Sequence, residues 1–225
     1  MNTRLQAISF DVGGTLITPW PSVGQVYCDV AREHGVSGLD PEEVTARFYT
    51  AWGQKKEFDY SKPAWRLLVE QSLGSRLNKV LLDALFESVY QKFVQREAWH
   101  IYDDVLPALH LARSMKFKLA VLSNWDERLR PMLHNLGLAP FFDVIICSGE
   151  VNSHKPERGI FDLCAAQLGC APDKILHIGD SPCEDVTGAR NAGFQSALLD
   201  RKKSGTDLRR LIEGAAQQIN PLEQI

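Results

Sequence analysis

The chain has 225 residues, of which 44% are hydrophobic and 24% charged, and a net charge of −3. That balance fits a folded domain with a real core and gives no expectation of nucleic acid or a membrane surface as partner; no apolar run approaches the roughly 18 residues of a membrane helix. The first strand-like run begins at residue 5, leaving no room for a leader, and five cysteines (Cys28, Cys147, Cys164, Cys170, Cys183) without a Cys-x-x-Cys pair favour free thiols in a reducing cytoplasm over a disulfide or zinc framework.

In chain order, residues 5–10 (Leu-Gln-Ala-Ile-Ser-Phe) read as a buried strand that ends just before Asp11. Residues 17–98 contain no convincing strand and several helical segments. One opens Asp40-Pro41-Glu42-Glu43, an N-cap followed by an N1 proline and an acidic first turn. Another, at 78–95, sets Val80, Leu81, Leu85, Val89 and Phe93 along one face. Further apolar runs at 117–122, 143–147, 174–178 and 194–199 have strand character, with helical patterns between them. Two of those helices are bracketed by a proline and a glycine, at 156–169 and 182–193. The alternation predicts an α/β protein with a five-stranded parallel sheet. Its core would be residues 1–16 and 99–225, with 17–98 as an inserted α-helical cap hinged near 16–20 and 96–101.

Chemistry-bearing residues follow four of the strands. Asp11-Val12-Gly13-Gly14-Thr15 follows the first, Ser123-Asn124 the second, Lys155 in Ser153-His154-Lys155-Pro156-Glu157 the third, and Asp180 with Asp185 the fourth. In an open parallel sheet these positions converge on one crevice at the carboxyl ends of the strands. The set fits phosphoryl transfer, which needs positioning and charge stabilisation above all. A carboxylate nucleophile, Asp11, repels a phosphate, so a cation belongs between them. Asp11, the backbone carbonyl of Gly13 and Asp180 offer the oxygen ligands Mg²⁺ prefers, with Asp185 in an outer role. Ser123 and Lys155 supply a donor and a positive charge. The backbone N–H groups of Asn124 and of residues 12–14 add further donors.

These motifs resemble those of haloacid dehalogenase superfamily hydrolases, subfamily I, with a helical cap after the first motif. Leu122-Ser-Asn-Trp-Asp-Glu-Arg-Leu129, Lys155-Pro-Glu and His177-Ile-Gly-Asp-Ser resemble the REG-2-like group within it. The resemblance implies a Rossmann-like core with strand order 5-4-1-2-3. It implies that Asp11 is the nucleophile, that Ser123 binds phosphate, that Lys155 stabilises both, and that Asp180 and Asp185 form the metal's acidic pair. Gly14, Thr15 and Asn124 fall at substrate-binding positions. The substrate would be a small phosphorylated metabolite, the cofactor Mg²⁺, and the protein a monomer or homodimer.

The first motif of that family is Asp-x-Asp-x-Thr, and here Gly13 replaces its second aspartate. That aspartate protonates the leaving group and activates water, help worth roughly 10²–10⁴-fold. Three readings follow. The first is a phosphatase that is weak or selective for acyl and aryl phosphates, which leave as weak bases. A proton donor from the cap is an option, with Tyr27, His34, Glu57 and His100 eligible by type. The second is a phosphonatase-like C–P hydrolase using Lys55 or Lys56 as a Schiff base. The third is a phosphate- or protein-binding member without turnover. A dehalogenase proper fits worst, because two adjacent acids would burden a metal-free site facing an anionic substrate.

Several residues read as structural first. Trp52 and Trp65 suit a cap core, Trp20 the substrate entrance, and Trp125 either packing or a cover on the phosphate pocket. Arg47 and Arg66 are expected to face solvent. Cys183, in the Asp180–Asp185 loop, is expected as a small buried residue, and His177 as a satisfied core histidine.

Overall fold

The computed structural model describes residues 5–54, 58–74, 78–203 and 206–217. In chain order its first half comprises β1 (Ala7–Phe10), β2 (Ile17–Pro19), α1 (Val23–Glu33), α2 (Pro41–Gln54), α3 (Lys62–Leu73), α4 (Lys79–Lys92) and β3 (Trp99–Ile101). Then come α5 (Val105–Ser114), β4 (Lys118–Ser123), α6 (Leu129–Asn135), β5 (Val144–Cys147), α7 (Ser148–Val151) and α8 (Arg158–Leu168). The chain closes with β6 (Ile175–Gly179), a π-helical turn (Pro182–Thr187), α9 (Gly188–Asn191), β7 (Gln195–Leu198) and α10 (Leu208–Gln217).

Two compact units emerge. The first is Met1–Ile17 with Ile101–Glu127 and Gly137–Ile225, and the second is Thr18–His100 with Arg128–Leu136. The expected division kept 99–225 whole; here α6 packs with the helices of the second unit.

The first unit holds a parallel sheet in the order β5-β4-β1-β6-β7. Counting only these five strands along the chain, that is the order 5-4-1-2-3 read from the other edge. β1 is central and buried throughout, flanked by β4 (Ile8 opposite Leu119) and β6 (Ile8 opposite Leu176). Continuous apolar runs such as Ala120–Leu122 suit strands covered on both faces. On one face Leu122, Ile146, Ile160, Phe161 and Phe194 share a buried cluster. The five strands lie within two residues of their expected ends.

Three local expectations need correction. Pro156 lies before α8 rather than inside it, after a cis Lys155–Pro156 peptide, and Glu157 takes the N-cap position. The 182–193 segment is not one α-helix but a wide π-turn followed by the short α9. Residues 17–19 do form a strand: β2 pairs with β3 in a two-stranded sheet at the start and end of the insertion. Three-residue strands carry too little periodic signal to separate from loop.

In the second unit α1, α2, α3 and α4 pack around Tyr27, Val30, Val69, Leu73, Leu85 and Val89. Ser22, Ser61 and Asn78 cap α1, α3 and α4 through their side chains. Asp40 accepts the Glu42 N–H at 2.8 Å, the expected cap of α2. The buried face of α4 is Leu82, Leu85, Phe86, Val89 and Tyr90. Val80, expected on that face, is 81% exposed, so the stripe begins two residues later, at Leu82. Among the described residues, no helix is long and apolar enough to cross a membrane.

Candidate functional site

Asp11 sits one residue beyond the end of β1, its N–H donating to the Ile178 carbonyl of the neighbouring strand at 2.9 Å. The following loop turns back tightly: the N–H groups of Thr15, Leu16 and Ile17 all point to the Val12 carbonyl. The Gly14 N–H is engaged by the Ile17 carbonyl at 2.8 Å, which removes it from the expected set of backbone donors. Gly14 has φ +77°, and a Cβ there would overlap the Asp180 carboxylate, so both backbone and packing require glycine. Thr15 is fully buried and its hydroxyl has no hydrogen-bond partner among the described residues.

The end of β4 brings Ser123 to Asp11, its hydroxyl donating to Oδ1 at 2.9 Å. Lys155, 2% exposed, donates from Nζ to the same Oδ1 at 2.7 Å and to Asp185 Oδ1 at 2.5 Å. Burial opposes its charge, but Asp11 and Asp185 outweigh that and hold its pKa above the ordinary lysine value. For Asp185 burial again works the other way, and Lys155 with His177 keeps its carboxyl well below the usual range.

Asp180 makes no ion pair among the described residues. The residue keeps solvent exposure, yet its carboxyl lies against Gly14. Burial of that carboxyl first, then the charges of Asp11 and Asp185, push its pKa up to about 7. Carboxylate oxygens of Asp11, Asp180 and Asp185 lie within 4.8 Å of one another. Three carboxylates face one ammonium, and all the donors are hard oxygens. This set fits Mg²⁺, which takes carboxylate oxygens at a partly open position.

All nine expected site residues, Asp11, Gly13, Gly14, Thr15, Ser123, Asn124, Lys155, Asp180 and Asp185, belong to the first unit. Asn124 works mainly through its side chain. Its Oδ1 accepts the Lys155 N–H at 2.8 Å and its Nδ2 donates to the Lys155 carbonyl at 2.9 Å and to Glu184 at 3.0 Å.

His177 is a satisfied core residue, fully buried, with Nε2 3.0 Å from Asp185 Oδ1 and Nδ1 2.9 Å from the Ser9 hydroxyl. Burial lowers its pKa and keeps it neutral. A carboxylate only accepts, so Nε2 carries the proton and Nδ1 accepts from Ser9. Asp185 is also held by the Ser181 N–H at 2.8 Å.

A further support was not anticipated. Arg201, just past β7, donates Nε and Nη2 to the Thr15 carbonyl at 3.2 and 2.5 Å. Its Nη1 reaches both oxygens of Asp104 at 2.7 and 2.8 Å. A basic residue just beyond the carboxyl end of the last strand was the available signal.

The remaining candidates have local partners in the second unit. Tyr27 is buried edge-on to Phe48 and Phe93, and burial raises its pKa. His34 bonds Ser88 at 2.8 Å, and the His100 ring lies 5.3 Å from that of Trp20. Trp52 and Trp65 stack at 5.6 Å, as expected of a helical core. Arg47 pairs with Glu43, and Arg66 with Asp83 and Glu70. Lys55, Lys56 and Glu57 lie outside the described residues. All five cysteines are free thiols, but Cys183 is exposed, contrary to the buried position expected of it.

The sequence pattern of haloacid dehalogenase-like hydrolases matches residues 5–193. A Danio rerio protein named haloacid dehalogenase-like hydrolase domain-containing protein 3 is 29% identical, over 90% of this chain and 88% of its own. A phosphoglycolate phosphatase of Chromobacterium violaceum is 28% identical, over 92% of this chain and 93% of its own. The crystal structure of a HAD phosphatase from Thermococcus onnurineus superposes with a TM-score of 0.67 at 25% identity, covering 93% of this chain and 97% of that one.

Proposed function

Because the chain belongs to the haloacid dehalogenase-like hydrolase family, as a hydrolase of phosphatase-like kind, we propose that it is a Mg²⁺-dependent phosphatase working through an aspartyl-phosphate on Asp11. The observation that carries this reading is the cluster of Asp11, Asp180 and Asp185 closed on one side by buried Lys155. A dehalogenase gains nothing from three converging carboxylates, whereas a cation-assisted phosphoryl transfer needs them.

Ser123 and Lys155 both donate to Asp11 Oδ1, which leaves Oδ2 without a side-chain donor among the described residues and the more nucleophilic of the two. In this reading Oδ2 attacks phosphorus in line, and the leaving oxygen departs with its electron pair. Lys155 and Ser123 then meet the charge on the phosphoryl oxygens. Water next attacks the same phosphorus, releasing phosphate and regenerating the Asp11 carboxylate. Asp11, Asp180, Asp185 and the Gly13 carbonyl would hold Mg²⁺, which when bound neutralises phosphoryl charge. Gly13 has no titratable side chain, so acyl and aryl phosphates, which leave unprotonated, are the favoured substrates. Small phosphorylated metabolites are the substrate class this reading implies.

The test is Mg²⁺-dependent hydrolysis of acetyl phosphate by wild type and Asp11→Asn side by side. Turnover that is lost in the variant is the expected result. Wild type inert toward acyl and aryl phosphates alike, with Mg²⁺ bound, would overturn it.

A further inference from the structure

We propose that Trp125 determines which leaving groups this site accepts, because its indole stands where a side chain at position 13 would project. The proposal rests on the phosphatase reading above and narrows its acyl and aryl phosphates to one class: aryl phosphate monoesters.

The backbone gives no reason for glycine at 13, since its φ is not in the left-handed region that Gly14 occupies. The obstacle is a neighbouring ring. A Cβ at 13 would lie 3.2 Å from Trp125 Cζ3 and 3.9 Å from Cη2, and among the described residues, its chain neighbours aside, nothing else comes within 4 Å. Carbon atoms pack best at about 3.5–4.0 Å, so even a methyl group displaces the ring, and a carboxymethyl group displaces it further.

The main chain of Trp125 is pinned. Its N–H donates to Ser148 Oγ at 3.0 Å, and its carbonyl accepts from Gly149 N–H at 2.9 Å and Cys147 Sγ at 3.0 Å. A Cβ on Gly149 would approach that carbonyl to 3.0 Å. The turn after β5 therefore fixes where the indole starts, and the ring yields only by changing rotamer.

Gly13 and Trp125 each stand two residues beyond the hydrogen-bonded pair Asp11–Ser123. The ring half-buried beside Gly13 cannot deliver a proton: indole N–H is a donor without useful acidity. It offers a flat apolar wall instead. A leaving group that packs on that wall and departs unprotonated is a phenolate. The Asp11 Oδ2–P bond forms as the P–O(aryl) bond breaks, and the aryl oxygen keeps the electron pair. Water oxygen then replaces Asp11 on phosphorus, its proton passing to solvent.

Two measurements test this. The first compares kcat/KM for 4-nitrophenyl phosphate and acetyl phosphate in wild type and Trp125→Ala. The aryl-over-acetyl ratio is expected to fall about 3- to 10-fold, the range of an aromatic pair contact; an unchanged ratio in active protein overturns the substrate class. The second is a melting-temperature cycle of Gly13→Ala, Trp125→Ala and the double variant. Gly13→Ala should lower Tm in the wild-type background and not in Trp125→Ala. Equal losses in both backgrounds overturn the pairing. Wild type inactive on both substrates would defeat the phosphatase reading, while the cycle still decides whether ring and glycine are matched.

Discussion

The side chain of Asn124 grips Lys155 at both ends of that residue's main chain, accepting its N–H at 2.8 Å and donating to its carbonyl at 2.9 Å. The ammonium that bridges Asp11 and Asp185 is thus aimed by an amide at the end of the neighbouring strand, β4. Asn124→Ala leaves two buried backbone groups unpaired, at about 1–3 kcal/mol. It should also lower kcat roughly 10–100-fold, since small misplacements of a charge-stabilising group are costly. Steady-state kinetics should put the loss in kcat, with KM nearly unchanged.

Lys155→Met removes the cation from a buried pair of carboxylates. Stranding such charges costs about 3–5 kcal/mol, read as a drop in denaturant midpoint at pH 7. The loss should shrink toward pH 4, as Asp185, no longer held low by Lys155, takes up a proton that relieves the repulsion. Lys155→Arg should not rescue activity, because a planar fork does not fit the slot of a compact ammonium.

Asp180 gives the metal-free protein a pH signature. Its folded pKa of about 7 lies above the ordinary value near 3.9, so between those limits the folded form binds more protons than the unfolded one. Stability therefore falls as pH rises from about 4 to about 7. In EDTA, wild type should lose melting temperature over that interval relative to Asp180→Asn. Saturating Mg²⁺ should remove the difference at pH 7.5 by pairing the carboxylate.

Arg201 secures the loop behind the nucleophile from the far end of the chain, joining the Thr15 carbonyl to Asp104, which also accepts the Leu208 N–H at 2.8 Å. Arg201→Ala should lower stability by about 1.5–3 kcal/mol, the range of charged hydrogen bonds. It should also reduce kcat on acetyl phosphate. Arg201→Lys should recover little of either, because a single ammonium cannot serve both the carbonyl and the carboxylate. Thermal melts and kinetics on the three proteins check this.

The residues that carry charge in the site were legible because each follows a strand, and a parallel sheet delivers strand ends to one edge. Asp11, Ser123, Lys155, Asp180 and Asp185 needed only that rule. The residues that support them were not. Ser9 and His177 meet because β1 and β6 are neighbours in register, and Arg201 meets Thr15 across most of the chain. Pairing of that kind has no local period. The Gly13–Trp125 contact was hidden for another reason: a glycine announces the absence of a side chain, not what stands in its place. On the helices, the stripe of α4 was misplaced because Val80 fits a helical period as well as Leu82 does, and only packing decides between them.

The insertion between β1 and β4 closes on itself. Trp20 donates its N–H to the Ala98 carbonyl at 2.8 Å within the helical unit, and in the sheet unit Tyr102 donates to Leu16 at 3.2 Å. Pairing Ile8 with Leu119 from an unfolded chain closes a loop of roughly 110 residues. If the helical unit folds first, its Trp20–Ala98 closure shrinks the effective loop to about 34, and the closure cost falls by about 1 kcal/mol. The central strand pair then assembles as readily as in a chain that never carried the insertion.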